Sequence, residues 1–396
     1  MVVDDKTTEV GRSLIGALRP DGIAYLLGGR RARTRARHAG LDVGPLLLEL
    51  GELLVPVERD ALRWALGTRA LSRRAALVRL LPTRIVGLAA RRSVARRPHA
   101  RPLAEWLHAL GRGTSVVLSG ETAFLIDDAG VTLAARVEPR LPGSRTETER
   151  RALLELGTDA RAAGAGVPTP LDQTELAGAS LLVVTGLPGT PASRLIARRP
   201  RSRAALVDRL ASWLGRWNEA TAVERLLSPE LLERKLLAPA LALELDTPHL
   251  AALERLAAAA AGRRVKLVAA HNDLTTANVL VEPDAPLGIV DWESAEREDL
   301  PLGDLFYAVA DAEAAVEAFR DRRDAFLASL GRQAAHERSL VARLALDPVV
   351  ADVCFHACWL THAANERQAA GREGGLPFLE IVRTIGGRRL RLDAAA

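Results

Sequence analysis

Residues 270–293 read AHNDLTTANVLVEPDAPLGIVDWE, and the reading of this stretch decides the fold. His271 is followed by Asp273 and then by Asn278. An apolar strand, a turn and a second apolar strand come next, and Asp291 stands at the end of the second strand. Asp273 and Asn278 bracket a short loop, so a carboxylate and an amide can converge on one point. Asp291 returns on a hairpin and adds a second carboxylate. Two carboxylates and an amide oxygen form a hard-oxygen set suited to Mg2+ held against phosphates. One carboxylate is left to accept a proton from a hydroxyl nucleophile.

Upstream the pattern is β-rich. Thr114–Ser119, Ala123–Asp127 and Val131–Val137 are rich in β-forming residues and are separated by Gly120 and by Asp128-Ala129-Gly130, which predicts a three-stranded meander. Ser144-x-x-Glu147 and Thr146-x-x-Glu149 both have capping-box spacing and predict a helix through about Ala163. Gln173–Leu176 and Ser180–Thr185 suggest another strand pair. After Gly189 the text reads as helical except for Val279–Val281 and Gly288–Val290. A small β-rich lobe before a larger helical lobe is the expected outline, an α+β architecture.

With these motifs the chain resembles the aminoglycoside phosphotransferase and choline kinase group of the protein-kinase-like superfamily, over about residues 110–370. The resemblance implies a bilobal kinase-like fold that uses ATP and Mg2+. It makes Asp273 the catalytic base, with Asn278 and Asp291 holding the metal beside the nucleotide phosphates. His271 becomes a structural member of the loop, and Asp304 a brace for it, although a bare aspartate there reads equally as a helix N-terminal charge. Leu181–Gly189 matches the strand and hinge between the lobes, where backbone groups near Thr185–Leu187 would meet the adenine edge. Ser119–Thr122 stands where the phosphate-covering loop belongs, but with Gly120 as its single glycine a plain hairpin explains it as well. Where the superfamily has a phosphate-contacting lysine, this sequence has Arg136, and no lysine occurs between Lys6 and Lys235. Glu149 is the expected partner of Arg136, because it shares a helical face with Leu153 and Leu156.

Only Trp292–Leu300 separates Asp291 from the next helix, so no long platform for a peptide substrate is encoded. The expected acceptor is a hydroxyl of a small molecule such as an amino sugar, sugar or amino alcohol. Ten acidic residues against Arg297 alone between Glu282 and Glu313 suggest a rim suited to a cationic acceptor; Mg2+ ligands and solvated helix charges account for the same count. A nucleotide-binding pseudokinase serving as an interaction module is the alternative reading, motivated by Arg136 and the thin glycine loop.

The chain has 396 residues, 48% hydrophobic and 26% charged, which is the balance of a globular protein. No uninterrupted apolar run reaches the roughly 18 residues of a membrane span, and two cysteines do not make a disulfide scaffold. A cytoplasmic protein is expected. Residues 1–105 carry 20 basic against 10 acidic residues, with clusters at Arg30–Arg37 and Arg91–Arg97. That segment is read as a basic, mainly helical extension, with Leu46–Leu54, Ala61–Leu66 and Leu71–Leu81 as helical stretches. Peripheral contact with an anionic membrane surface is one expectation for it and a solvated face is the other. No specific nucleic-acid partner is expected, since arginine abundance is a habit of the whole chain, in which only Lys6, Lys235 and Lys266 are lysines. Residues 106–186 then form the nucleotide-binding lobe, and 187–396 the helical lobe with catalytic loop and acceptor site. Cys354, Cys358 and His362 on one helix suggest packing before zinc, and Trp213 with Trp217 suggests core packing before a sugar platform.

Overall fold

Period-two alternation builds the main sheet. In strand Val131–Pro139 the side chains of Leu133, Ala135 and Val137 are buried, with half-buried Arg136 pointing from the opposite face of the pleat. Leu133 faces Leu125 and Ala135 faces Ala123 across the ladder with strand Thr122–Ile126. On the other side Val137 faces Leu181 and Ala135 faces Val183 of strand Ala179–Thr185. These residues and Leu107 form one apolar cluster. Fully burying each Leu or Val contributes about 1.5–3 kcal/mol, enough to set the register of the ladder.

The computed structural model describes residues 24–28, 42–50, 53–66, 92–96 and most of 107–386, apart from 108, 112, 114, 120–121, 129, 140–142, 177–178, 317–318 and 371–375. Contacts divide the chain into two units. The first comprises residues 1–157, 166–194 and 280–293, and the second 158–165, 195–279 and 294–396.

The first unit is organised on an antiparallel sheet. Its strand order is 24–28, 92–96, 42–50, 53–56, 115–119, 122–126, 131–139, 179–185 and 170–176. The meander and the later strand pair fall where the sequence places them. Helix Arg145–Ala162 opens at the first of the two capping signals: Ser144 Oγ accepts from the Glu147 amide at 3.4 Å, while the Glu147 carboxylate accepts from the Gly143 amide at 3.3 Å, one residue before the reciprocal partner of a full capping box.

The N-terminal reading needs correction. Leu46–Leu54 is not a helix; it contributes to strands Asp42–Leu50 and Leu53–Pro56, paired from Leu47↔Pro56 to Leu50↔Leu53. A continuous leucine run carries no period that separates a buried strand from a buried helix, and Leu47, Leu48, Leu53, Leu54 and Val55 are all buried. Among the described residues before 106, helix Arg59–Trp64 matches the expected Ala61–Leu66 segment, while the rest is strand, so "mainly helical" does not describe them. Nor does the chain part at residue 105, because Leu53 and Leu54 pair with Ser119 and Leu118 in one continuous ladder. Leu71–Leu81 and the cluster Arg30–Arg37 lie outside the described residues; Arg92 and Arg96 belong to a sheet strand. No helix among the described residues is long and apolar enough to cross a membrane.

The second unit is helical, with Arg203–Thr221, Thr247–Ala260, Gly303–Val316, Arg322–Leu344 and Pro348–Ala370 as its main elements. The sequence reading missed a three-stranded sheet of Val223–Leu226, Arg264–Ala270 and Glu296–Asp299. Glu296–Asp299 is entirely charged and carries no β signal of its own; it is a strand by virtue of its partner. Trp213 and Trp217 are buried and stacked with centroids 4.9 Å apart, which makes them core. Cys354 and Cys358 are buried thiols, pushed up in pKa chiefly by burial. His362 stacks on Tyr307 at 3.7 Å.

Gly186 follows the strand Ala179–Thr185, and its amide donates to Thr132 O at 2.7 Å. A Cβ there would fall 2.1 Å from Val131 O, a backbone atom with little room to yield. Gly186→Ala should therefore cost ~1–3 kcal/mol, read as a lower urea midpoint. An unchanged midpoint would contradict this close packing.

Candidate active site

In the first unit the candidate residues gather around Arg136. Its guanidinium pairs with Glu149 at 3.3 Å and with Asp291 at 2.6 Å, and it also contacts Glu293. Arg145, from the first turn of its helix, grips both oxygens of Glu293, with Nε donating to Oε2, which Arg136 also contacts, and Nη2 donating to Oε1, both at 2.7 Å. Two guanidinium groups thus face three carboxylates. Burial works against the charge on Arg136, but the pull of Glu149, Asp291 and Glu293 prevails and raises its pKa further. Burial pushes the Glu149 carboxyl up to about 7; Arg136 opposes that shift, and Asp291 and Glu293 add to it. Asp291 follows strand Leu287–Ile289 and has φ of 68°, a left-handed conformation that aspartate adopts more readily than most residues.

In the second unit the loop after strand Arg264–Ala270 is pinned by two buried carboxylates. Asp304 accepts from the amides of His271 and Asn272 at 2.7 and 2.8 Å. Asp311 accepts from the Thr276 amide at 2.7 Å and from its hydroxyl. Between these anchors Asn278 Nδ2 donates to both the carbonyl and the carboxylate of Asp273, at 2.9 and 3.0 Å. Buried His271 accepts from the Asp273 amide through Nδ1 at 3.3 Å. Burial raises the Asp304 pKa to about 6, against the opposing effect of its two amide donors.

The donor chemistry suits a hard cation. Asp291 offers carboxylate oxygen, and Asn278 keeps its amide oxygen because Nδ2 is committed to Asp273. Among the described residues no group of three His, Cys, Asp or Glu forms a metal cage by itself.

Comparison with known proteins narrows the chemistry. The profile of the phosphotransferase enzyme family matches residues 115–340, more than half of the chain. The chain belongs to this family. It is a phosphotransferase with a protein-kinase-like fold. Similar solved structures include an aminoglycoside phosphotransferase from Streptomyces rimosus, at 21% identity over 61% of this chain and 89% of that one, with a TM-score of 0.36. Another is a macrolide 2'-phosphotransferase from Brachybacterium faecium, at 18% identity over 72% and 90%, with a TM-score of 0.39. Identities this low carry no information on substrate. No protein of curated function matches the chain.

Of the phosphotransferase residues expected from sequence, the structure joins Arg136, Glu149 and Asp291 in one cluster, and His271, Asp273, Asn278 and Asp304 in another. Gly120 lies outside the described residues. Thr185 and Leu187 are half-buried, and the Thr185 amide is committed to Thr169 O at 2.9 Å. Glu293, Arg145 and Asp311 were not singled out. Glu293 had a signal in its place two residues after Asp291, whereas the partnerships of Arg145 and Asp311 depend on tertiary placement.

The raised Asp304 pKa has a defined consequence. Between an unfolded value near 4 and a folded value of about 6, the folded state holds a proton that the unfolded state has released. The stability from this group is complete below the lower value and is lost as pH rises through the upper one. Thermal melts from pH 4 to 6.5 should show a steeper loss with rising pH for the wild type than for Asp304→Asn. Identical slopes would contradict this protonation state.

Proposed function

We propose that this phosphotransferase moves the terminal phosphoryl group of ATP to a hydroxyl of a small molecule, with Mg2+ as its metal. The observation that carries the reading is the position of Arg136. It is tied at once to the helix carboxylate Glu149 and to Asp291, so a cation stands where the superfamily's lysine–glutamate pair would be. This favours transfer over the pseudokinase alternative, for which Arg136 had no need to be held inward.

In this reading Asp273 orients the acceptor hydroxyl and takes its proton at the carboxylate. Asn278 restrains that carboxylate through Nδ2 and offers Oδ1 to the metal, with Asp291 as the carboxylate donor. Mg2+, when bound, would neutralise charge on the phosphates. Arg136 adds positive charge beside them, and its planar fork reaches further than an ammonium group. Arg145 holds Glu293 and so limits how far Glu293 draws Arg136 away. Leu187, next to committed amides at Thr185 and Gly186, is the residue of the hinge stretch assigned to the adenine edge. Most of the rate then comes from positioning and charge neutralisation. The two buried free cysteines suit a reducing, cytoplasmic setting.

Asp273→Asn should fold and bind nucleotide as the wild type does while kcat falls on the order of 10²–10⁴-fold. Wild-type turnover in that variant would remove the assigned base. Arg136→Ala should raise the nucleotide Kd and lower kcat together, and Arg136→Lys should recover part of both. Indifference to both changes would favour a module that does not transfer phosphate.

A further inference from the structure

Helix Gly303–Val316, which braces the loop of Asp273, carries Tyr307, a polar residue that the transfer steps leave unused. Asp304 accepts from the amides of His271 and Asn272, and Asp311 accepts from the amide and hydroxyl of Thr276. These carboxylates stand seven residues apart, two turns along one helical face, and the loop is laid along that face between them. Residues 307 and 308 complete the face, each about one turn from either anchor. Ala308 is apolar, so Tyr307 is the polar side chain that the helix brings alongside residues 273–275.

The ring of Tyr307 is held in place. It stacks on the His362 imidazole with centroids 3.7 Å apart and an interplanar angle of 21°, and it packs against Phe378 at 5.8 Å. Burial lowers the His362 pKa to about 3, so the stack carries no charge. Tyr307 is 6% exposed, and among the described residues none shares a hydrogen bond with its hydroxyl. A buried tyrosine normally finds a partner for its O–H. A ring that only packed would be served by phenylalanine, with no hydroxyl to desolvate. Burial raises the pKa of the phenol, the charges of Asp273 and Asp311 add to that shift, and Arg322 opposes it. The phenol is therefore protonated at neutral pH and near enough to Asp273 to feel its charge. Asp273 meanwhile takes Asn278 Nδ2 at 3.0 Å. A fixed donor and the candidate base thus lie near each other without bonding to each other.

We propose that Tyr307 contacts the acceptor, its hydroxyl donating to one oxygen of that molecule while Asp273 takes the proton of another. Such a pairing calls for a polyoxygenated acceptor, with or without amino groups. The proposal rests on the phosphotransfer reading above, and the test separates the two. The chain has two tyrosines, Tyr25 and Tyr307, so full-length protein labelled with 3-fluorotyrosine gives two fluorine resonances, assigned by Tyr307→Phe. Glucose, glucosamine, glycerol and streptomycin would be titrated in, with and without ATP and Mg2+, and ADP release measured alongside. At least one compound should shift the Tyr307 resonance and leave that of Tyr25 in place. For that compound Tyr307→Phe, which keeps the ring, should raise KM on the order of 3–10-fold, the worth of one hydrogen bond. Nucleotide Kd and the melting midpoint should stay as in the wild type. A residue that only packs would move the midpoint and leave KM alone, and that result would overturn the proposal. ADP release stimulated by a compound that leaves the Tyr307 resonance unmoved would overturn it too, while sparing transfer. A shift confined to Tyr307 without ADP release would uphold the contact and count against transfer. No Tyr307 shift with any of the four compounds would overturn the proposal, whatever ADP release shows.

Discussion

The candidate nucleotide site depends on one guanidinium. Arg136 is side-chain buried to 14% exposure and is held by Glu149, Asp291 and Glu293. Such a group is costly to desolvate, and its carboxylate partners repay the cost only together; removing one partner of a buried pair typically costs about 3–5 kcal/mol. The cluster draws on four places in the chain: a strand, a helix face, a helix first turn and the segment after Leu287–Ile289. The interaction therefore ties residues 280–293 to the sheet of the first unit as well as placing a cation. Three carboxylates against two arginines leave a net negative charge, and the raised pKa of Glu149 reflects that excess together with its burial. Binding a further cation at Asp291 would relieve it.

The second unit solves a different problem, that of holding a loop still. Asn272 is in a left-handed conformation at φ of 62°, so the backbone turns sharply just before Asp273. Asp304 and Asp311, both on helix Gly303–Val316, accept the amides on either side of that turn. Hydrogen bonds to carboxylates contribute more than neutral ones, about 1.5–3 kcal/mol each. The helix thus acts as a rigid rail for the loop, and the Asn278 side chain closes it onto Asp273. The same economy explains the acidic run that follows, where carboxylates are used to brace strands and helices from within.

Much of this was legible in the sequence because it is local. The meander, the strand pair at Gln173–Leu176 and Ser180–Thr185 and helix Arg145–Ala162 follow from β-rich runs between turn residues and from capping, and the Arg136–Glu149 pair follows from helical phase. What was not legible depends on partners distant in the chain. Leu46–Leu54 has no period, so only its ladders make it strand. Glu296–Asp299 is strand through its pairing with Val268 and Ala270. The acidic count near Asp291 could be read directly, but the cations that balance it come from residues as far away as Arg203 and Arg332.

The central claim is that Arg136 serves the nucleotide through its coupling to Glu149. The most direct measurement is a double-mutant cycle on nucleotide Kd in the presence of Mg2+, using Arg136→Ala, Glu149→Ala and the pair. The account predicts strong non-additivity, a coupling of about 1–3 kcal/mol, because either single change already dismantles the arrangement. Losses that add to within about 0.5 kcal/mol would mean the two residues act independently, and the account of the site would be wrong.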